Sequence, residues 1–360
     1  MDQEKIIADC GFLIADLNPK SEIRNPKSEI NMMELRTKVN IDPSPKKITY
    51  NAGAMFIGSC FASSIGSKLE MGKIPVIVNP AGAVYNPVSV CNTLDTITSE
   101  REFTKEDLYN HNGIWLSFSH YTDFSSNDPL VVLEKINNMS KWAYSFLSKA
   151  GFLFVTLGTS RIYRLKESGQ IVSNCHKIPA AYFKPDILGV DEIVKLWTGQ
   201  LDRLHSLFPR LKVVFTISPV RHWKDGAHGN QVSKSVLFLA VEELLNHPVA
   251  PVYFPAYENV MDELRDYRFY ENDMIHPSSL AIDFIWEAFS ASYLEKKTLD
   301  LYNEVVKISK AYNHRIIKES DSGIKEFVSG ILKRISEIEV RAPEIDFSDE
   351  KKYFKELLNF

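Results

Sequence analysis

The sequence predicts an α/β fold: a three-layer α/β/α sandwich around a mainly parallel five-stranded sheet, followed by a helical C-terminal tail. Short apolar runs alternate along the chain with longer segments whose apolar residues recur at helical spacing. This alternation is typical of a parallel sheet covered on both faces. Polar clusters rich in Gly, Ser or Pro follow nearly every apolar run. Ligands bind beyond the carboxyl ends of such strands, so these clusters mark the expected site.

The apolar runs predict where the strands lie. Those expected to form the sheet are 55–59, 74–78, 152–157, 212–217 and 252–254. Two further β-rich segments, 162–165 and 170–172, flank a Ser-Gly pair and predict a hairpin. Residues 101–128 are less regular and are interpreted as an insertion over the rim of the sheet.

The spacing of apolar residues predicts the helices between these strands. The first begins directly after the first strand, where Phe61, Ile65 and Leu69 recur every four residues. The later helices are expected over 87–97, 129–150, 190–208, 231–245 and 277–293. The Lys/Glu-rich tail from residue 295 onward is predicted to be helical, with breaks near 320–323 and 341–343.

The first residues differ from the rest of the chain. The segment Asn18–Ile23, which reads Asn-Pro-Lys-Ser-Glu-Ile, recurs as Asn25–Ile30. Such polar, Pro-containing copies cannot bury a core. We therefore interpret 1–31 as a disordered leader outside the fold, and expect the natural start at Met32 or Met33. Residues 32–293 then form the α/β/α domain, and 294–360 a helical extension through which the protein could oligomerise.

Bulk composition narrows the classes of function. The chain is 44% hydrophobic and 24% charged, as in soluble globular proteins. A net charge of -4 and a pI near 6.2 give no electrostatic footprint for nucleic acid, and no apolar run is long enough to span a membrane. The four cysteines lack metal-ligand spacing, and such sparse use fits a reducing compartment. We predict a cytoplasmic protein without metal or cofactor.

The stretch 55–69 is the strongest candidate for a nucleophile. An apolar strand runs into Gly58-Ser59-Cys60, and a helix follows. This arrangement places a hydroxyl or thiol against the N-terminus of a helix, whose free amides and dipole favour negative charge. The alternative is an ordinary loop with a buried structural thiol.

Asp273 and His276 form the second part of the predicted site. An aspartate three residues before a histidine can reach back to the imidazole and fix its tautomer. The other ring nitrogen is then free to act as a general base. The alternative is that Asp273 merely caps the helix that follows.

Further polar residues after the strands are candidates for binding the substrate. Backbone amides at Cys60 or Phe61 are expected to stabilise an oxyanion, together with Gly82 and a side chain from the cluster Gly158, Thr159 and Ser160. The alternative is that Gly82 and Gly158 only turn the chain. Basic side chains suited to a carboxylate, phosphate or sugar are Lys177, Arg221 and Lys234. The polar clusters around them add Asn174, His176 and His222. A metal at Cys175 and His176 is disfavoured, because adjacent ligands have no second pair.

These segments resemble the GSCFA-domain family. The residues at 58–62 read Gly-Ser-Cys-Phe-Ala, and the resemblance continues at 158–160, 174–177, 218–222 and 273–277. The family is similar to the SGNH/GDSL hydrolases, which are α/β/α sandwiches that cleave or transfer acyl groups. The resemblance places the nucleophile at Cys60, with Ser59 as the alternative if the register shifts by one residue. Some SGNH-like sugar acyltransferases are similar in carrying Cys there.

The resemblance also implies roles for other positions and exposes one departure. Gly82 matches the loop Gly of the hydrolase pattern, and Asp273 and His276 match its terminal Asp-x-x-His. The usual Asn of the third block is absent, and Thr159 or Ser160 stands in its place.

From these features we predict an esterase that acts on an acyl ester, preferably an acetyl group on a bacterial glycan, through an acyl-enzyme. One alternative is an acyl-CoA-dependent sugar O-acyltransferase. The other is a catalytically decayed module that binds a glycan or a partner.

Overall fold

The computed structural model of the protein describes residues 36–99, 101–313 and 321–358, so the predicted leader lies outside the described residues. The strands are β1 (Ala54–Gly58), β2 (Val76–Val78), β3 (Tyr109–His111), β4 (Ile114–Leu116), β5 (Phe152–Leu157), β6 (Arg161–Leu165), β7 (Ile171–Val172), β8 (Phe183–Ile187), β9 (Lys212–Ile217) and β10 (Val252–Tyr253). The five runs predicted from the sequence are all strands of one sheet.

The central sheet is parallel, with the strand order β10-β9-β5-β1-β2. Numbered as they enter this sheet, the strands run 2-1-3-4-5, so the order reverses between β1 and β5. Crevices at such a reversal are where open α/β sheets bind ligands. Gly58 is level with Thr156, and Thr156 is level with Thr216. The segments that follow β1, β5 and β9 therefore leave the sheet at one height.

Helices cover both faces of this sheet. They are α1 (Cys60–Met71), α2 (Pro87–Thr98), α3 (Pro129–Leu147), α4 (Val190–Leu207), α5 (Gly226–Leu245), α6 (Ala256–Glu258), α7 (Ser279–Tyr293), α8 (Lys296–Asn313), α9 (Asp321–Arg341) and α10 (Ser348–Leu358). A π-helical turn, Asn259–Glu263, continues α6. Among the described residues, no helix is both long and apolar enough to cross a membrane.

Alternation along the strands separates two hydrophobic cores. Phe56 of β1 faces a core built with α1 and α7, whereas Met55 and Ile57 face a core built with α2 to α5. Successive side chains of a strand point to opposite faces, so each strand is apolar on both. The three-layer α/β/α prediction is confirmed. Helices α8, α9 and α10 add Val305, Val328 and similar side chains to the core on the α1/α7 side.

The insertions are more regular than the sequence predicted. Strands β3 and β4 pair as an antiparallel hairpin inside 101–128. The predicted hairpin is confirmed as β6 and β7, and β8 pairs with β6 to complete a three-stranded sheet. The sequence missed β8 because its residues Phe183–Ile187 are mostly exposed and include a Pro, so the alternating apolar signal is absent.

Helix α5 begins at Gly226, five residues before the predicted start at Gln231. The two glycines in this first stretch have low helix propensity, which hides the true boundary in the sequence. Tertiary contacts favour the helix there. A Cβ on Gly229 would lie 2.9 Å from Nη2 of Arg161, and Asn230 accepts the amide of His222 through Oδ1 at 3.0 Å.

Candidate active site

The turn after β1 presents Cys60 at the first position of α1. Gly58 has a φ of +143°, and a Cβ there would lie 2.1 Å from the carbonyl oxygen of Thr156, so only glycine fits. Ser59 is the N-cap of α1, and its Oγ accepts the amide of Phe61 at 3.3 Å. The backbone thus changes from strand to helix within two residues.

Ser59 and Cys60 differ in accessibility and in their partners. Ser59 is buried, with 1% of its surface exposed, and its hydroxyl oxygen serves the helix cap. Cys60 is a free thiol that is partly exposed. This geometry favours Cys60 over Ser59 as the group that a substrate can reach.

The surroundings of Cys60 hold opposing influences on its ionisation. Burial raises the pKa of the thiol, and the carboxylate of Asp273 raises it further. The amides of Cys60 and Phe61 and the ammonium of Lys234 lower it. Because burial dominates, the thiol needs a base or a cation to become a thiolate at neutral pH.

Asp273 and His276 form a tight pair before α7. Oδ2 of Asp273 lies 2.6 Å from Nδ1 of His276, and Oδ1 accepts the amides of Ile275 and His276, each at 2.9 Å. These bonds, with the His276 amide contributing most, lower the pKa of Asp273 to about 2. The cap of α7 is instead Ser278, whose Oγ accepts the amide of Ala281. The alternative role of Asp273 as the cap of that helix is therefore wrong.

Electrostatic interactions connect this pair to the ends of the strands. Asp273 acts on the pKa of Cys60, and His276 acts on that of His222. The ring of His222 meets the ring of Tyr85 edge-on, with centroids 5.5 Å apart. The phenol of Tyr85 in turn interacts with Cys60. Segments from four parts of the chain thus surround one end of the sheet.

The segment after β9 contributes His222 and Arg221. Burial, together with the charges of Lys234 and His276, lowers the pKa of His222 to about 4, so its imidazole is neutral at neutral pH. Arg221 is half-buried and interacts electrostatically with Lys234 and Tyr270. It forms no ion pair with any carboxylate of the described residues.

Lys234, on α5, reaches the same region from inside the protein. Its side chain is fully buried, and Nζ donates to the carbonyl oxygen of Ser218 at 2.6 Å. Burial and the charge of Arg221 lower its pKa to about 7, whereas Cys60 raises it. The site therefore contains a buried amine that titrates near neutral pH.

The cluster after β5 is engaged in internal hydrogen bonds. The amides of Gly158 and Thr159 both donate to the carbonyl of Tyr85, at 2.7 and 3.0 Å. The hydroxyls of Thr159 and Ser160 lie 2.9 and 3.1 Å from Oγ of Ser233. The expected oxyanion donors of this cluster are thus occupied. Gly158 instead lets the ring of His222 lie close to the backbone, because a Cβ at position 158 would lie 3.1 Å from Nε2 of His222.

Gly82 has a structural environment of its own. Its φ is +79°, its amide donates to the carbonyl of Asn79 at 2.7 Å, and a Cβ would lie 2.1 Å from Cβ of Tyr121. The structure gives this amide to a turn, so it is not free to stabilise an oxyanion as the sequence predicted. The same turn supports the nucleophile segment, since Asn79 accepts the amide of Gly58 at 2.8 Å.

The loop at 174–177 is held against the insertion. Asn174 accepts the amide of His176 at 2.8 Å, and Nε2 of His176 lies 2.9 Å from the carbonyl oxygen of Ser117. Lys177 is exposed and, like His176, has a positive φ. These contacts account for Asn174 and His176 as residues that shape the loop, and none of them reaches Cys60.

The sequence did not predict that Tyr85 and Ser233 contact residues of the candidate site. Tyr85 lies in the same Gly/Pro/Asn loop as Gly82, but nothing in a single sequence distinguishes it from a packing aromatic. Ser233 precedes Lys234 on α5, and the apolar pattern of this helix predicts which residues face the core but gives no signal for a serine. Among the described residues, no group of three or more His, Cys, Asp or Glu is arranged to hold a metal ion.

Comparisons with known proteins find two matching family models and similar solved structures. A model of the GSCFA family matches residues 54–289, and a model of the C-terminal domain of GSCFA domain proteins matches 305–359. Two solved structures are similar over most of their length. One is a carbohydrate esterase family 3 protein from Talaromyces cellulolyticus, 10% identical, covering 70% of this chain and 99% of that chain with a TM-score of 0.30. The other is an acetyl esterase variant with an acetate ion, 12% identical, covering 71% and 99% with a TM-score of 0.31. No curated protein matches the chain.

Proposed function

This chain belongs to the GSCFA family, and from the geometry around the motif that gives the family its name we propose that it cleaves or transfers an acyl group, by way of a thioester on Cys60. The substrate that we propose is an ester, preferably an acetyl ester on a glycan. The single observation that carries the proposal is the Asp273–His276 pair, because a carboxylate 2.6 Å from Nδ1 leaves the other nitrogen of the ring free.

The tautomer of His276 follows from its partner. The ionised carboxylate of Asp273 only accepts hydrogen bonds, so Nδ1 carries the proton that it receives. Nε2 is then unprotonated and can take the thiol proton of Cys60. The sulfur attacks the ester carbonyl carbon, and the leaving alkoxide takes the proton back from Nε2 as the C–O bond breaks. Water, or a hydroxyl of an acceptor sugar, then gives its proton to Nε2 as its oxygen attacks the thioester carbonyl carbon. The C–S bond breaks, and the departing sulfur takes that proton from Nε2, which restores the Cys60 thiol.

The oxyanion formed in this reaction needs hydrogen-bond donors. Cys60 is the first residue of α1, and its amide donates to no backbone carbonyl of the described residues. Free amides at a helix N-terminus favour negative charge. We assign this amide as one donor and the phenol of Tyr85 as the second, because the amides after β5 are occupied.

The test is the substitution His276→Ala in purified protein, with hydrolysis of aryl and sugar acetates as the measurement. We expect turnover to fall by about 100-fold or more, the usual contribution of a general base, with an unchanged circular dichroism spectrum. The matched control is His205→Ala, which removes an exposed histidine from α4. This helix covers the face of the sheet opposite to α7. Equal turnover in His276→Ala and the wild type would exclude the mechanism.

Two alternatives are separated by further measurements. An acyltransferase would give transfer to added sugar acceptors faster than hydrolysis. A binding module is favoured by one observation, the engagement of the amides of Gly158 and Thr159 within the fold. It predicts that wild-type protein turns over no acyl ester and forms no covalent adduct at Cys60.

A further inference from the structure

Lys234 is a buried charge that has no carboxylate partner among the described residues. Two charged residues of the described part are almost fully buried, Lys234 and Glu350. Glu350 is 2.8 Å from Nζ of Lys73. Within the part of the chain that the structure describes, Lys234 instead donates only to the carbonyl of Ser218, although an ammonium has three N–H groups. Lysine is almost never fully buried unless it is paired, so a second, anionic partner is expected.

The fold directs Lys234 to the nucleophile rather than to the surface. Ser218 follows β9 as Cys60 follows β1, and the register of β1, β5 and β9 places both segments at one height. The charged or titratable groups that interact with Lys234 are Cys60 from α1 and Arg221 and His222 from the segment after β9. Those that interact with Cys60 are Lys234, Asp273 and Tyr85. Cys60 is the group among Lys234's neighbours that can become an anion.

We propose that Lys234 is a positioning residue that acts through Cys60, with its buried Nζ supplying the positive charge that stabilises the Cys60 thiolate. The inference rests on the proposed function only in taking Cys60 as the nucleophile. It adds a second influence to that of His276: the imidazole removes the thiol proton, and the ammonium stabilises the charge that remains. Because solvent is excluded around Lys234, salt screens this interaction little.

The test measures ionisation of the thiol rather than turnover, so it can fail while the proposed function holds. Cys60 is alkylated with iodoacetamide from pH 5 to 10, and peptide mapping separates it from the other cysteines. In this reaction the S–C bond forms, iodide leaves and the thiol proton goes to the buffer. In Lys234→Met we expect alkylation at pH 7 to be about tenfold slower, as for the loss of one nearby opposite charge. The difference in alkylation rate between Lys234→Met and the wild type should become smaller at high pH, where the thiol is ionised in both proteins.

Lys212→Met is the matched control. Lys212 also donates to a backbone carbonyl, that of Ala250, and burial also lowers its pKa. It lies at the opposite end of β9, so its substitution should leave the alkylation profile unchanged. A profile of Lys234→Met that equals the wild type, in folded protein, overturns the inference and leaves Lys234 as a structural residue.

A second measurement decides the case if Lys234→Met does not fold. Coupling between two titrating groups is reciprocal. In protein labelled at the lysine side chains, the NMR titration of Lys234 should therefore shift to lower pH in Cys60→Ser, because the thiolate no longer favours the ammonium. An unchanged titration midpoint overturns the inference.

Discussion

The carboxylate of Asp273 lies 2.6 Å from Nδ1 of His276 through one oxygen, and its other oxygen accepts two backbone amides of the same turn. Both side chains are about half exposed, 47% for Asp273 and 48% for His276. The pair is therefore ordered by its own turn rather than by burial. An imidazole held in this way remains accessible to a substrate at the surface.

Asp273→Asn should preserve the turn but disturb the imidazole. An amide oxygen can still accept the backbone amides, but the NH2 group donates where the carboxylate accepted. This favours the tautomer with Nε2 protonated, which cannot act as a base, so kcat should fall by about 100-fold or more. The control is Asp266→Asn, since Asp266 caps a neighbouring 3₁₀ turn and pairs with Arg268. A kcat within twofold of wild type in Asp273→Asn would contradict this role.

The roles of Cys60 and Ser59 can be separated by substitution. Cys60→Ala should abolish the covalent acyl adduct detected by mass spectrometry. Ser59→Ala should retain the adduct but lose the N-cap of α1, which lowers the free energy of unfolding by about 1 kcal/mol. Urea denaturation measures the second effect. Loss of the adduct in Ser59→Ala, with Cys60 still present and the protein folded, would assign the nucleophile to Ser59.

Gly158→Ala should displace His222. The added Cβ would lie 3.1 Å from Nε2 of His222 and 3.2 Å from the carbonyl oxygen of Tyr85, so one neighbour must move by a few tenths of an ångström. We expect a loss of activity of about tenfold, since small misplacements at an active site are costly. The control is Gly199→Ala, which lies inside α4 with nothing within 4 Å of the new Cβ. That substitution should raise stability by up to about 1 kcal/mol and leave activity unchanged.

The stability of the protein should fall at acidic pH through a buried imidazole outside the candidate site. Burial lowers the pKa of His120 from 6.5 to about 4, with a contribution from His176. The unfolded chain thus binds a proton that the folded state excludes, so stability is full above about pH 6.5 and is lost as the pH falls toward 4. In His120→Gln, the decrease in unfolding free energy over this range should be smaller by on the order of 2–3 kcal/mol.

Chemical denaturation at each pH measures this difference. The decline should be reduced rather than abolished, because His222 has a similarly lowered pKa. Identical pH dependence in the wild type and His120→Gln would contradict the assignment. Activity at pH 7 should be unchanged, since the His120 ring packs in the insertion, edge-on to Phe103 at 5.1 Å.

Local patterns in the sequence determined the sheet, most helix boundaries and the Asp273–His276 pair. An apolar run such as Phe152–Leu157 is removed from water only when both faces of its strand are buried, which predicts a sheet covered by helices. Asp273 and His276 are three residues apart, so their contact forms within one turn and can be predicted without knowledge of the tertiary structure. The sequence also identified the Gly-Ser-Cys turn, because an apolar strand ends there and apolar residues at helical spacing begin directly after it. The chain must therefore change from strand to helix within these three residues.

Only the tertiary structure decided which side chains line the candidate site and which are held by other contacts. Gly82 and Gly158 are candidates for the oxyanion site in the sequence, yet the fold uses their amides to bind the carbonyls of Asn79 and Tyr85. The sequence predicts Lys234 only as a basic side chain suited to binding substrate, yet α5 buries it completely. The physical reason is that hydrogen bonding and burial depend on neighbours far along the chain. The identity of a residue fixes what its side chain can donate, accept or ionise, and packing fixes which partner it meets.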